Sequence, residues 1–132
     1  MESDIKKLAD YRLEKAERNL NLAKDLFINE AYSFALNRVY YAAFDAIRAV
    51  NALDGFDSSK HSGVIAHFNQ NHVKTGHFEP GASTIIKRSS MLREKSDYED
   101  FFEADRNDVE ETIEEVQVFI DSVWDYLELK MK

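Results

Sequence analysis

Cysteine is absent from the chain, proline occurs once, and glycine occurs four times. Without cysteine there is no disulfide and no thiolate ligand for a metal. The proline and all four glycines, at Gly55, Gly63, Gly76, Pro80 and Gly81, fall in the middle third, so both ends can form long helices. No apolar run approaches the roughly 18 residues of a membrane span. The opening "MESDIKKLADYRLEKAE" has no apolar h-region and no small-residue cleavage site. A cytoplasmic protein that enters no membrane is the expectation. Positive charge is also scarce, with 17 basic residues against 25 acidic and a net charge of −8. An acidic surface repels phosphate backbones, which disfavours general, sequence-independent nucleic-acid binding and confines any such contact to a local patch.

What is present is apolar and helical. Hydrophobic residues make up 44% and aromatics 12% of 132 residues, enough for one folded domain over 1–132. Ala9, Leu13, Ala16, Leu20, Ala23 and Phe27 recur at spacings of four and three, one face of a helix over about 4–29 that opens near Ser3 or Asp4. Val109, Ile113, Val116, Ile120, Val123 and Leu127 repeat the rhythm over about 106–130, behind a capping box of Asn107 and Glu110. Between them lie a helix over 31–53, a third over "KHSGVIAHFNQNHV" capped by Ser58 or Ser59, and a short fourth over "ASTIIKRSSMLREK". "SDYEDFFEADRND" reads as an acidic loop. No period-two segment of strand length stands out. The fold class is all-α, an up-and-down four-helix bundle with an additional short helix.

The second helix is apolar most of the way round and is expected to be the most buried. Its alanines at 35, 42, 43, 46 and 49 leave room for neighbours. One narrow stripe differs: Phe34, Arg38, Tyr41, Asp45 and Arg48, spaced four, three, four and three. This is either a solvated edge, with Asp45 and Arg48 as an i,i+3 pair, or an interface or ligand cleft framed by aromatics. Arg38 and Asp45 are about 10 Å apart along the axis, too far for an easy direct bridge.

Other candidates are weaker. His61, His67, His72 and His77 include no two at helical three- or four-residue spacing and no HExxH, so no metal is expected. The acidic run 97–105 lacks the glycine and closing glutamate of an EF-hand. Lys87, Arg88, Arg93 and Lys95 form the one concentrated basic patch, which meets RNA, a nucleotide phosphate or an acidic partner, or balances the neighbouring acidic loop. "DGFDSSK" lacks the spacing of a phosphate-binding loop, and no nucleotide or other cofactor is expected from a motif.

The succession "YRLEKAERNLNLAKDLF", "ALNRVYYAAFDAIRAV", "KHSGVIAHF" and "REKSDY" resembles the HEPN domain family, in its small single-domain bacterial and archaeal members, over most of the chain. The resemblance implies a helical homodimer, often beside a minimal nucleotidyltransferase in a toxin and antitoxin pair. It further implies that active members are metal-independent ribonucleases, whose signature arginine is followed along the same helix by a histidine. Arg38 matches that arginine, and Asp45 stands where close relatives carry the histidine. Ile47 stands where some toxins carry a tyrosine that the nucleotidyltransferase adenylylates. An unperturbed Asp, with a pKa of ~3.9, is protonated in only about one molecule in a thousand at pH 7, so it is a poor general acid. Catalysis would then need either a raised pKa at Asp45 or His61 reaching the cleft in place of the missing imidazole. The expected function is a homodimeric module that binds RNA or a nucleotide and partners a nucleotidyltransferase, without full ribonuclease activity. The alternative is a ribonuclease using Arg38 with Asp45 or His61. The expected binding or interface residues are Asn37, Tyr41 and Arg48, with Arg93 holding Asp97 so that Tyr98 docks on the bundle.

Overall fold

A computed structural model describes residues 2–130, and the regular elements among them are all helical. They are α1 (Glu2–Ile28), α2 (Tyr32–Ala52), α3 (His61–Phe68) followed by a π-helical turn (Asn69–Val73), α4 (Pro80–Tyr98) and α5 (Arg106–Lys130). The all-α class read from the sequence is what the chain adopts. No described helix is long and apolar enough to cross a membrane.

The predicted apolar faces are the core. Ala9, Leu13, Ala16, Leu20 and Ala23 of α1 are buried, as are all six α5 positions from Val109 to Leu127 that carry the repeat. Each large aliphatic side chain removed from water contributes about 1.5–3 kcal/mol before chain entropy is counted. Alanines on both α1 and α2 let these helices lie close, which brings their few polar side chains into register. Arg12 meets Arg48 while Asn19 meets Asp45 and Arg38, so residue numbers fall on one helix as they rise on the other. Trp124 donates to Glu17 and Lys24 to Gln117, which makes α1 and α5 antiparallel too. α4 packs against α2 and α5, and α3 against α2.

Helix ends depart from the sequence reading. α1 begins at Glu2, so Ser3 and Asp4 lie inside its first turn. The residue preceding α3 is Lys60, and Ser58 and Ser59 do not cap that helix. Ser58 Oγ instead accepts the Lys60 N–H at 3.2 Å, and a Cβ on Gly63 would stand 2.8 Å from it. The predicted third helix changes character at Asn69, where bonding widens to a π turn. α4 runs three residues past Lys95, its last turn held by an i,i+4 bond from Arg93 to Asp97, so part of the expected acidic loop is helix. α5 is capped by Asp105, whose Oδ1 accepts the N–H groups of Asn107 at 2.7 Å and Asp108 at 3.1 Å. Asn107 and Glu110 are therefore not the cap.

Candidate functional site

The stripe on α2 does not face one environment. Phe34 is exposed, Arg38, Tyr41 and Arg48 are half-buried, and Asp45 is only 4% exposed. Asp45 turns toward α1, where Asn19 Nδ2 donates to its Oδ2 at 2.8 Å. The other end of the same amide, Asn19 Oδ1, accepts from Arg38 Nη1 at 3.2 Å. A single asparagine on α1 thus spans the gap between Arg38 and Asp45 within one chain. Burial raises the Asp45 pKa above the ordinary carboxylate value, against the opposing pull of Lys15, the Asn19 hydrogen bond, Arg48 and Arg38.

Arg48 does not pair with Asp45. Its Nη2 lies 3.0 Å from Asp57 Oδ2, and the same oxygen is 3.2 Å from Nη2 of the buried Arg12. Arg12 also donates to the Arg48 carbonyl at 3.1 Å. Neither Arg12 nor Asp57 stands out in the sequence, because their partnership joins α1 to the loop after α2.

Arg38 has a different kind of surroundings. Its Nε and Nη2 donate to Asn37 Oδ1 at 3.0 and 2.6 Å, so Asn37 and Asn19 hold the guanidinium by neutral amides. Among the described residues no carboxylate oxygen lies within 4 Å of it. These bonds use one N–H on each terminal nitrogen and leave a second on each. The guanidinium carbon stands 5.1 Å from the centre of the Tyr41 ring, a cation–π distance.

Tyr41 gathers further groups. Arg93 lies 5.8 Å from its ring centre and 4.7 Å from that of Tyr40, and the His61 ring meets Tyr41 edge-on at 6.0 Å. His61 is exposed, sits 4.2 Å from the Phe44 ring centre, and its Nδ1 is 3.0 Å from the Tyr40 hydroxyl. Burial raises the Tyr40 pKa, so that hydroxyl keeps its proton. Arg38, Tyr41, His61 and Arg93 are thus brought onto one aromatic patch, whereas Asp45 is turned away behind Asn19. A groove of about 540 Å³ between α3 and α4, lined in part by Ser62, Ile65, Asn69, Ile86, Lys87 and Met91, does not include Arg38, Tyr41 or Asp45.

The basic patch on α4 is partly spent within the chain. Arg88 reaches three carboxylates of α5, Glu115 at 2.6 Å, Glu111 at 3.1 Å and Asp108 at 3.4 Å. Its counter-charges therefore come from α5, and of the three only Asp108 falls in the segment read as an acidic loop. Arg93 does hold Asp97, at 3.2 Å, but Tyr98 does not dock on the bundle: it is 77% exposed. Because α4 stays helical through Tyr98, that ring is rotated about 100° from Asp97 and away from the face that Arg93 and Asp97 share.

The histidines, apart in helical spacing, are not all apart in space. His67 and His72 both reach Asp54 Oδ2, and the three ligand atoms lie within 4.8 Å of one another. Five residues separate the histidines, and the π turn places that spacing on one side. Spacing judged at 3.6 residues per turn misses such a pair, so the reason for expecting no metal ligand set does not hold.

A HEPN domain family model matches residues 9–127. The chain is 33% identical over 121 residues to a UPF0332 protein of Thermotoga maritima, covering 92% of each. Two Methanocaldococcus jannaschii proteins, each carrying the name "putative toxin", are similar as well. One is 34% identical over 93% of this chain and 91% of its own length, the other 28% identical over 96% and 86%. The chain belongs to the HEPN domain family.

Proposed function

We propose that this chain is a homodimeric HEPN module that binds RNA or a nucleotide and partners a minimal nucleotidyltransferase in a toxin and antitoxin pair, without full ribonuclease activity. The observation that carries the reading is the state of Arg38. In a chain of net charge −8 this half-buried guanidinium rests on an aromatic ring, is held by two amide oxygens, and meets no carboxylate within 4 Å among the described residues. Its two remaining N–H groups suit a phosphate, and Tyr41 and Arg93 beside it suit a base or a second phosphate. Weak catalysis follows from Asp45, which is buried and already hydrogen-bonded to Asn19. A carboxylate there cannot reach a scissile bond to trade protons. The toxin names of two relatives favour the setting of a toxin and antitoxin pair.

The ribonuclease reading survives in one form, because the exposed imidazole of His61 shares the Tyr41 patch with Arg38. Incubating the purified chain with single-stranded RNA in EDTA separates the two. The binding module leaves the RNA intact and loses affinity about 10-fold or more in Arg38→Ala, the equivalent of about 1.4 kcal/mol. Cleavage that disappears in both Arg38→Ala and His61→Ala would establish the enzyme instead. Undiminished RNA and nucleotide binding in Arg38→Ala would overturn the site. Sedimentation of the chain, alone and with a nucleotidyltransferase encoded beside it, tests the dimer and the partnership.

A further inference from the structure

At the end of the bundle where α2 stops, five titratable side chains from five parts of the chain converge: Asp54 after α2, His67 of α3, His72 of the π turn, His77 before α4, and Tyr126 of α5. None belongs to the Arg38 and Tyr41 patch. Asp54 Oδ2 is 2.9 Å from His67 Nε2 and 2.6 Å from His72 Nε2. His72 is 2% exposed, whereas Asp54 keeps a third of its side chain in solvent, so the group is rooted in the core and open on one side.

We infer that Asp54 Oδ2, His67 Nε2 and His72 Nε2 form a three-ligand site for a divalent transition-metal ion of the Zn²⁺ kind, with the fourth position left to water. Two imidazoles and a carboxylate are a donor set of that type, and neither Mg²⁺ nor Ca²⁺ favours one so rich in nitrogen. Tetrahedral Zn²⁺ with bonds of about 2.0–2.1 Å requires donors about 3.3 Å apart. The two separations from Asp54 need to open by less than about 1 Å, within the reach of Asp54 on its exposed loop, and the two histidine nitrogens, which lie within 4.8 Å of one another, need to close by at most about 1.5 Å.

The surroundings hold the ligands as metal-binding histidines are held. The Phe56 ring lies flat on His67, 4.0 Å between centres and 7° between planes. Phe68 stacks on His72 at 6.0 Å, and Tyr126 meets it edge-on at 5.9 Å. A histidine that ligates through Nε2 carries its proton on Nδ1 and needs an acceptor there. His72 Nδ1 has one in His77 Nδ1 at 3.1 Å, with the Tyr126 hydroxyl at 3.5 Å. Asn71 Nδ2 lies 3.3 Å from His67 Nδ1 and donates to the His67 carbonyl at 3.0 Å, which fixes the amide, so the Nδ1 proton of a ligating His67 is left to solvent. With the ion bound, each Nε2 lone pair is on the metal and each ring's one proton sits on Nδ1, so coordination takes the place of the two contacts to Asp54.

The test uses the whole chain, stripped with chelator and titrated with ZnCl₂ by calorimetry and with CoCl₂ by visible absorbance. One ion per chain, a dissociation constant at or below micromolar, and the intense d–d bands of four-coordinate Co²⁺ are expected. Asp54→Asn and His67→Ala should each weaken Zn²⁺ binding more than 10-fold, and His77→Ala by about 10- to 100-fold as an outer partner. His61→Ala should leave it unchanged. Imidazole NMR of the unmutated chain provides a reading that no folding defect can blur, with Zn²⁺ shifting the His67 and His72 ring signals and sparing His61. Absence of Zn²⁺ binding below millimolar would reduce the triad to a hydrogen-bonded fastener. Wild-type affinity in both Asp54→Asn and His67→Ala, or unmoved His67 and His72 signals, would overturn the site.

Discussion

Asn19 donates from Nδ2 to Asp45 at 2.8 Å across the seam between α1 and α2, while its Oδ1 accepts from Arg38. One uncharged side chain thereby serves the two residues of α2 that the resemblance marks as functional. It fixes the guanidinium by its oxygen and satisfies the carboxylate by its nitrogen. Whatever Arg38 binds, Asp45 does not have to be its counter-charge.

The buried carboxylate sets a pH dependence. Burial raises the folded pKa of Asp45 above 3.8, so the native chain holds a proton that the unfolded chain has released in the window between the two values. Stability from this residue therefore falls as pH rises through that window, and its ionisation is a cost at neutral pH. Asp45→Asn should be at least as stable as wild type at pH 7 in urea unfolding, and should lack that downward slope. Asn19→Ala removes the donor from an ionised buried group and should cost about 1–3 kcal/mol at pH 7, with less lost near pH 4.

Asp57 behaves with the opposite sign. Burial pushes its pKa up, but hydrogen bonds from Arg48 and the Ser58 N–H, with the charges of Arg48 and Arg12, outweigh burial and hold it below the ordinary value. The stability it supplies is present above the unfolded pKa and lost as pH falls through the folded one. Asp57→Asn should cost about 1–2 kcal/mol at pH 7, moderated because Asp57 is half exposed while Arg12 is 9% exposed. The loss should shrink as pH falls through the folded pKa, where wild type also gives up the charge. An unfolding series over pH on both Asp variants separates the two slopes.

Much of the fold is legible because its helices are simple. Leu13 and Leu20, or Val116 and Val123, repeat with the period of an α-helix and have nowhere to go but the core. Arg38 and Tyr41 are legible as the odd members of an apolar helix. Asn19 is not, because a lone amide on a charged-looking face carries no pattern until α1 and α2 are known to be antiparallel. Only then does its spacing of seven from Arg12 place both on the seam. Asp45 is misplaced for the same reason: a stripe drawn on one helix cannot say that a neighbouring helix covers half of it. The His67 and His72 pair stays hidden because a π turn, with its wider period, leaves no signal in a search at 3.6 residues per turn.

Arg88 and Arg38 are both cationic and half-buried, and they should respond differently to substitution. Arg88 is surrounded by Asp108, Glu111 and Glu115, so Arg88→Ala leaves three carboxylates of α5 facing one another. A loss of about 0.5–1 kcal/mol is expected for a partly exposed network, diminishing at high salt. RNA affinity should be unaffected or slightly weaker. A drop in affinity as large as that of Arg38→Ala would mean that α4 contributes a phosphate contact of its own.

The ring of Tyr41 separates stacking from hydrogen bonding at the same patch. Arg38 and Arg93 both lie against it, at 5.1 and 5.8 Å, and its hydroxyl is not what orients them. If a base stacks there, Tyr41→Phe should bind RNA like wild type, whereas Tyr41→Ala should lose about 1–3 kcal/mol of binding free energy. Arg38→Ala should act on another axis. Removal of one phosphate contact lowers the slope of log affinity against log salt by about 0.7 for a single strand, while Tyr41→Ala leaves that slope in place. Fluorescence anisotropy on a labelled oligonucleotide at several salt concentrations distinguishes the two losses. Equal effects of Tyr41→Phe and Tyr41→Ala would assign the interaction to the phenol oxygen. An unchanged slope in Arg38→Ala would place the phosphate away from this guanidinium.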